Sequence, residues 1–169
     1  CSRALILHSQ GKDRNEVTDP VNTAMRIAQM LDTLYWGGAQ RMQMFLVETL
    51  KPLGIDITVI DLSDSSDSIV PSLLRSAGAE VISFPFDRLF SPMEFLRLTG
   101  FLRAQKFDLL HTYLTYSNII GSFAGKLTGT PVIASIRNAD FEFKEYSLGH
   151  KALETFALRY LADRIMPNG

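Results

Sequence analysis

The sequence predicts an α/β fold built on a Rossmann-like, doubly wound parallel sheet with helices on both faces. Two patterns alternate along the chain. Short apolar runs rich in β-branched residues are typical of strands buried on both faces, and the stretches between them carry apolar residues at helical spacing. Because parallel strands joined through helices favour right-handed crossovers, this alternation indicates a single open sheet.

Each predicted strand is a short apolar run with turn residues at its ends. The six runs are Arg26–Leu31, Ile55–Leu62, Glu80–Phe84, Leu109–Tyr113, Pro131–Ile136 and Arg164–Met166. Helices are predicted from three apolar stripes, which we expect to face the sheet. The stripes are Ala39, Met42, Leu46, Leu50 and Leu53; Ile119, Ile120, Phe123, Ala124 and Leu127; and Leu153, Phe156, Ala157, Tyr160 and Leu161.

Composition excludes several classes of protein. The 169 residues suit one domain, and 46% hydrophobic with 21% charged residues is the profile of a soluble globular chain. A net charge of −1 gives no sign of a nucleic-acid partner. One cysteine, Cys1, allows neither an internal disulfide nor a zinc site built from cysteines. The single cysteine is compatible with a reducing cytoplasm, which is the location we expect. No apolar run approaches the roughly 20 residues of a membrane span.

Two further expectations concern how the chain is divided. Residues 1–24 are polar and precede a segment that looks like a natural chain start, so we expect a flexible extension followed by one domain over residues 25–169. Ser63–Ser68 contains only Ser and Asp and is predicted to be a solvated loop. Because the sequence ends on a strand and a turn, we expect a second domain beyond Gly169.

The loop after the first strand is the first candidate binding feature. Open parallel sheets bind ligands beyond the carboxyl ends of their strands, and Gly37 and Gly38 lie there at a helix start. Two glycines let a ligand approach the backbone, and helix-start N–H groups favour an anion. Neither the G-x-G-x-x-G pattern of dinucleotide sites nor a Walker loop is present. A loop glycine followed by a helix cap is the alternative interpretation.

Polar residues follow three other strands at the same edge of the sheet. His111 ends the fourth strand, where an imidazole can donate to a hydroxyl or a phosphate; a hydrogen-bonded core histidine is the alternative. Arg137 and Asn138 follow the fifth strand, and Arg137 offers a fork of donors, or else a surface ion pair with a nearby acid. Asn168 follows the last strand as a binding group or a turn residue.

The order of these features resembles the amino-terminal domain of family-4 glycosyltransferases. Residues 25–31 (MRIAQML) and 37–41 (GGAQR) resemble the family's first strand and its Gly-Gly-Ala-Glu-Arg motif. Residues 107–111 (FDLLH) resemble its Pro-Asp-Val-Val-His strand, and Asn118, Gly121 and residues 129–133 (GTPVI) match the family's next helix and strand. Residues 162–165 (ADRI) resemble its final strand before the interdomain region. The resemblance runs in order from Met25 to the end.

The resemblance implies the GT-B arrangement, in which two Rossmann-like domains face each other across a cleft. It implies sugar transfer from a nucleotide-diphosphate sugar to a glycan or lipid-linked saccharide, with retained anomeric configuration and without a metal or other cofactor. Gly37 and Gly38 would then lie beside the donor phosphates, and His111 and Arg137 would face the sugar or the acceptor. Tyr113 stands where many members have a second histidine, which leaves a hydrogen-bonding or stacking role.

The resemblance also limits what can be assigned. Gln40 replaces the usual glutamate of the first motif. The family's glutamate pair and diphosphate clamp belong to the second domain, so no catalytic residue is assigned here and the isolated chain is expected to be inactive. A sugar-nucleotide epimerase of the same architecture and a non-enzymatic flavodoxin-like binding module are the alternatives.

Residues 84–103 are aromatic and basic, and the amino-terminal GT-B domain usually recognises the acceptor. Such a surface can rest on anionic lipid at the inner face of the membrane and receive a lipid-linked or envelope-polysaccharide acceptor. We favour the alternative, in which the aromatic residues pack on the sheet and Arg97 and Arg103 point to water.

Overall fold

The computed structural model describes residues 24–89, 91–136 and 147–167. The strands are β1 (Arg26–Leu31), β2 (Asp56–Asp61), β3 (Glu80–Ser83), β4 (Leu109–Thr112), β5 (Val132–Ser135) and β6 (Arg164–Met166). The α-helices are α1 (Gly38–Leu50), α2 (Val70–Ser76), α3 (Pro92–Gln105), α4 (Thr115–Thr128) and α5 (Leu148–Tyr160), and a short 3₁₀ turn covers Lys51–Leu53. The predicted extension is outside the described residues except for Ala24.

The six strands form one parallel sheet in the order β3-β2-β1-β4-β5-β6. Every predicted strand is confirmed, with its ends within one residue of the prediction. The predicted Rossmann-like α/β fold is therefore confirmed. Its central strand, β1, pairs with β2 on one side and β4 on the other, which places the loop after β1 in the middle of the sheet edge. We call this edge, formed by the carboxyl ends of the strands, the carboxyl edge.

Each face of the sheet carries its own hydrophobic core. On one face, Ala28 and Met30 of β1 join buried residues of α3 and α4, among them Leu98 and Ile120. On the other, Leu31 of β1 joins buried residues of α1 and α2. Alternate β1 side chains thus supply opposite cores, as the two-residue period of a strand requires. Helix α5 packs beside α4.

Helix α4 lies close against the sheet because two glycines face it. A Cβ atom at Gly121 would lie 2.4 Å from a methyl carbon of Thr112, and one at Gly125 would lie 2.2 Å from a methyl carbon of Val132. Real Cβ atoms do not approach neighbours so closely, so a side chain at either position would push the helix away from the sheet. The two glycines therefore set the distance between α4 and the sheet.

The predicted stripe on α1 is confirmed in part, because Ala39, Leu46 and Leu50 pack against the core on this face of the sheet. Gln40, Gln43 and Val47 are the buried residues of this helix, while Met42 is 39% exposed. Leu53, the last member of the stripe, is 70% exposed beyond the end of α1. The helix is turned so that two glutamines point inward, and the Gln40 amide donates to the Thr33 carbonyl of the preceding loop at 2.7 Å.

The other two stripes are confirmed in part. In α4, Ile119, Ile120 and Ala124 are buried, but Leu127 at the end of the helix is 54% exposed. In α5 only Ala157 of the predicted stripe is buried, and Phe156 and Tyr160 are exposed instead. Because α5 covers the side of α4 rather than the middle of the sheet, it buries a narrower face than the stripe predicted.

The aromatic segment before and within α3 packs as the favoured interpretation predicted. Phe84 is buried, and Phe95 and Phe101 pack against the core that α3 shares with α4. Arg97 is exposed, bonds Glu94 at 2.8 Å and lies over the Phe84 ring. Met93 and Leu96 remain 67% and 64% exposed on the outer side of α3. None of the described helices has the length and apolar character needed to cross a bilayer.

Candidate functional site

The site is built from loops that meet at the carboxyl edge, and Asp32 is its central residue. Asp32 directly follows β1, and its carboxylate accepts the backbone N–H groups of Tyr116 at 2.9 Å and Ser117 at 2.6 Å. Those amides belong to the first turn of α4, so Asp32 caps this helix from another part of the chain. Burial raises the pKa of Asp32 to about 6, although the hydrogen bonds from Ser117 and Tyr116 lower it.

The glycine loop leads directly into α1. Gly37 has an extended backbone with φ −165°, and the helix begins at Gly38. A Cβ atom at Gly38 would meet nothing within 4 Å, whereas one at Gly37 would meet mainly the flexible Gln40 side chain. The first N–H groups of a helix have no partner within the helix. The fold itself therefore does not require a glycine at position 38, and the space around its Cβ position is empty.

A second loop holds the glycine loop in place. The Ser65 hydroxyl, fully buried, accepts the Leu34 N–H at 2.9 Å, and Ser68 donates its hydroxyl to the Leu34 carbonyl. Asp61, at the end of β2, accepts the Ser63 and Ser65 N–H groups, and burial raises its pKa. The predicted solvated loop Ser63–Ser68 is thus only partly solvated, because Ser65 turns inward to bond the loop after β1.

His111 and Tyr113 are brought together beside β5. The Tyr113 hydroxyl lies 2.8 Å from His111 Nδ1, and His111 Nε2 lies 2.8 Å from the Ser135 hydroxyl. Tyr113 and Ser135 are fully buried, while His111 is half-buried. The imidazole is therefore oriented by hydrogen bonds, and its contact with substrate stays a prediction. The other predicted binding residues, Arg137, Asn138 and Asn168, lie outside the described residues.

A buried acid continues this polar network towards α4. The Ser135 carbonyl accepts the Asn118 side-chain amide at 3.3 Å, and the same amide donates to Glu154 of α5 at 3.1 Å. Glu154 also accepts the Thr115 hydroxyl at 3.2 Å. Glu154 is only 3% exposed, and its negative charge contributes to the raised pKa of Asp32. The amino terminus of α4 thus has two carboxylates beside it, as expected at the positive end of a helix.

A cavity of about 340 Å³ opens at the carboxyl edge beside Asp32. Its lining comes from the ends of β1, β2 and β3 and from α4, and consists of Asp32, Leu62, Ser63, Phe86, Asp87, Arg88, Tyr116 and Ile120. The strand-end motifs selected none of these eight, although Phe86, Asp87 and Arg88 lie in the aromatic and basic segment 84–103. None of the predicted Gly37, Gly38, His111 and Tyr113 lines the cavity. The signal was available, because Asp32, Ser63 and Asp87 follow successive strands by the same rule that selected His111.

Comparison with known proteins gives a family and a fold. The family model for a glycosyl transferase 4-like domain matches residues 37–168. Comparison with the curated proteins gives no match. The structure is similar to HepE from Anabaena in complex with UDP, with 12% identity and a TM-score of 0.68 over 83% of this chain and 37% of that one.

Two other solved structures show the same fold. MurG from Acinetobacter baumannii is 15% identical with a TM-score of 0.59, over 85% of this chain and 41% of that one. A UDP-N-acetylglucosamine 2-epimerase is 15% identical with a TM-score of 0.58, over 84% of this chain and 41% of that one. The chain spans about two fifths of the length of these structures. With the family model covering most of its residues, the chain belongs to the glycosyl transferase 4-like family.

Proposed function

We propose that the protein containing this chain is a glycosyltransferase that uses a nucleotide-diphosphate sugar and transfers the sugar, with retention, to a glycan or lipid-linked saccharide. Family membership supports sugar transfer. The observation that carries the proposal is the open helix start at Gly38, where a side chain would meet nothing within 4 Å. HepE was solved with UDP-glucose, which fits a nucleotide-sugar donor.

The chemistry of transfer needs what this helix start offers. Breaking the glycosidic bond to the donor leaves a nucleoside diphosphate, whose developing charge must be stabilised. The N–H groups at the start of α1 carry partial positive charge, and we propose that the donor diphosphate binds beside them. Such donors stabilise the leaving diphosphate without a metal ion, so we propose that the reaction needs none. A second domain would supply the remaining contacts with the donor.

The substitution Gly38→Val tests the proposal in the full-length protein. The new side chain fits the fold but fills the space in front of the helix start, so we expect donor affinity to fall at least about tenfold with little change in Tm. Gly100→Val is the matched control, because that glycine also has no neighbour within 4 Å but lies in α3. Binding is measured by calorimetry with UDP-glucose and other nucleotide sugars, and transfer by mass spectrometry of acceptor glycans. Unchanged donor binding and transfer in Gly38→Val would contradict the proposal.

An epimerase is the second candidate, supported by the fold of the UDP-N-acetylglucosamine 2-epimerase. An epimerase converts its nucleotide sugar without an acceptor, whereas a transferase needs one. Incubation of the full-length protein with UDP-N-acetylglucosamine alone therefore separates the two. A flavodoxin-like binding module would show no turnover in either assay and the same ligand affinity after Gly38→Val. The isolated 169-residue chain is expected to transfer no sugar, and turnover by it would contradict the two-domain proposal.

We also propose that the outer side of α3 contacts the inner face of the membrane. Met93 and Leu96 are exposed one turn apart, with the exposed Arg103 on the same helix. Apolar side chains flanked by basic ones favour anionic bilayers. We expect the protein to sediment with phosphatidylglycerol vesicles and the Leu96→Asp variant to stay in the supernatant. Equal retention of both proteins would contradict this contact.

A further inference from the structure

We infer that the outer side of α1 is a dimer interface, at which two copies of this protein pack antiparallel about a two-fold axis near Phe45. Helix α1 buries Gln40, Gln43 and Val47 towards the sheet. Its opposite side is exposed, and Phe45 lies in the middle of that side. This surface is separate from the cavity at the carboxyl edge, none of whose lining residues belongs to α1.

The exposed side of α1 is apolar at its centre. Phe45 is 61% exposed, and Met42, one turn away, is 39% exposed. Leu53 follows the carboxyl end of α1, and Ile69 directly precedes α2, which contacts α1; these two side chains are also largely exposed. Exposed apolar residues grouped in this way mark surfaces that contact proteins or membranes. An apolar centre with a polar rim is the usual composition of a protein interface, which buries about 800 Å² on each partner.

The charges on either side of Phe45 indicate which partner covers it. Arg41 lies one turn before Phe45 and Glu48 one turn after it, and all three side chains are exposed on one stripe of the helix. Arg41 and Glu48 are about 10 Å apart along the helix axis, farther than the three- or four-residue spacing at which charges pair within a helix. In the described part of the chain, neither takes part in an ion pair.

An antiparallel pair of α1 helices satisfies both charges at once. A two-fold axis at Phe45 brings the Phe45 rings of the two copies together and places Arg41 of each copy opposite Glu48 of the other. The buried rings supply affinity, and the two equivalent ion pairs at the rim fix the orientation of the helices. A parallel pair would instead place like charges opposite each other, which is unfavourable. The face is therefore complementary to a second copy of itself.

The same charges make a lipid surface the weaker alternative. Arg41 and Glu48 cancel, whereas an anionic bilayer attracts a face with an excess of basic residues. The outer side of α3, which we propose to contact the membrane, belongs to the opposite face of the sheet. A dimer formed through α1 therefore leaves that side of α3 accessible.

Charge reversal in the full-length protein tests the pairing. The wild type is expected to be a dimer at micromolar concentration in analytical ultracentrifugation. Arg41→Glu places two acids on the stripe and Glu48→Arg places two basic residues there, so each variant alone should dimerise at least about tenfold more weakly. Mixed in equal amounts, the two variants should form a heterodimer, because every acid then faces a basic residue. The double variant should dimerise like the wild type for the same reason.

A substitution at the apolar centre completes the test. Phe45→Asp is expected to raise the Kd of the dimer about 100-fold. Met93→Asp is the matched control, because Met93 is a similarly exposed apolar residue on α3, and it should leave the Kd unchanged. All four positions are exposed, so circular dichroism should show that every variant is folded. A monomeric wild type, as expected if a second domain covers α1, would overturn the inference. So would a dimer that Phe45→Asp leaves intact, or a mixture of the two charge-reversed variants that stays monomeric.

Discussion

Asp32 makes more of the contacts that build the site than any residue that the sequence motifs selected. It caps α4, borders the cavity and lies near the buried acid Glu154. Its position directly after β1 marks it as a candidate at the carboxyl edge, but not as the acid that caps α4. What distinguishes it is the approach of α4, a contact between residues 84 and 85 positions apart. Long-range contacts of this kind leave no periodic signal, which is why sequence reasoning found the edge of the sheet but not this residue.

The raised pKa of Asp32 predicts a pH dependence of stability. A pKa of about 6 in the folded state exceeds the ordinary 3.8, so the folded protein holds this proton more tightly than the unfolded chain. The resulting stabilisation is complete below about pH 4 and is lost as pH rises through 6, by up to about 3 kcal/mol. Asp32→Asn cannot titrate, so the wild type should lose stability relative to this variant between pH 4 and 7.

Urea unfolding of both proteins at several pH values measures this difference. Asp61, whose pKa burial also raises, is present in both proteins, so its titration largely cancels in the comparison. The critical result is whether the unfolding free energy of the wild type falls relative to that of Asp32→Asn as pH rises. A difference in unfolding free energy that stays constant from pH 4 to 7 would show that Asp32 titrates near its ordinary pKa.

Two buried glutamines of α1 predict opposite effects of the same substitution. Gln40 donates its amide to the Thr33 carbonyl, whereas the amide nitrogen and oxygen of the fully buried Gln43 have no hydrogen-bond partner among the described residues. An unsatisfied buried amide costs about 1 to 3 kcal/mol. Gln43→Met should therefore stabilise the fold by about 1 kcal/mol or more, and Gln40→Met should destabilise it. Chemical denaturation checks both, and destabilisation by Gln43→Met would show that its amide is paired in solution.

At the scale of elements, strands were predictable, and the buried faces of helices were predictable only in part. A strand buried on both faces needs an uninterrupted apolar run, which the sequence displays directly. The buried face of a helix depends on its rotation about its own axis, and α1 is turned so that Gln40 and Gln43 point inward. Apolar spacing alone predicted Met42 and Leu53 instead, because it assigns no weight to an amide bonded to the preceding loop. The hydrogen bond from Gln40 to the Thr33 carbonyl thus ties the orientation of α1 to the preceding loop.

The close packing of α4 on the sheet predicts that Gly125 of α4 and Gly100 of α3 respond differently to substitution. Gly125→Ala places a methyl group 2.2 Å from Val132 and 2.9 Å from the Thr130 carbonyl, so the helix must shift and stability should fall by about 1 to 3 kcal/mol. Gly100→Ala in α3 meets no neighbour and should stabilise by about 0.5 to 1 kcal/mol through helix propensity alone. Thermal unfolding of the two variants compares them directly. Equal effects would mean that α4 is not closely seated.

At the scale of the whole molecule, the open order of the sheet makes stability uneven. β1 is paired on both sides, and its side chains supply both cores, so it opens only when the whole domain unfolds. β6 pairs only with β5 among the described strands, and all three of its residues are exposed. The glycine loop and most of the cavity lining follow β1, β2 and β3, away from β6. These three strands contribute side chains to the two cores, whereas no residue of β6 belongs to either.

Hydrogen exchange of the 169-residue chain tests this gradient. We expect the amides of β1 to exchange at the rate of global unfolding and those of β6 at least about tenfold faster, because β6 can separate without exposing either core. Exchange followed by NMR also reports Tyr116 and Ser117, whose amides Asp32 binds. These two should be protected like β1 in the wild type and lose protection in Asp32→Ala, while Arg97→Ala on the outer side of α3 serves as the control. Equal protection of β1 and β6 would mean that the whole sheet opens in one step. The loops at the carboxyl edge would then be stabilised by the whole sheet and not by β1 and its neighbours alone.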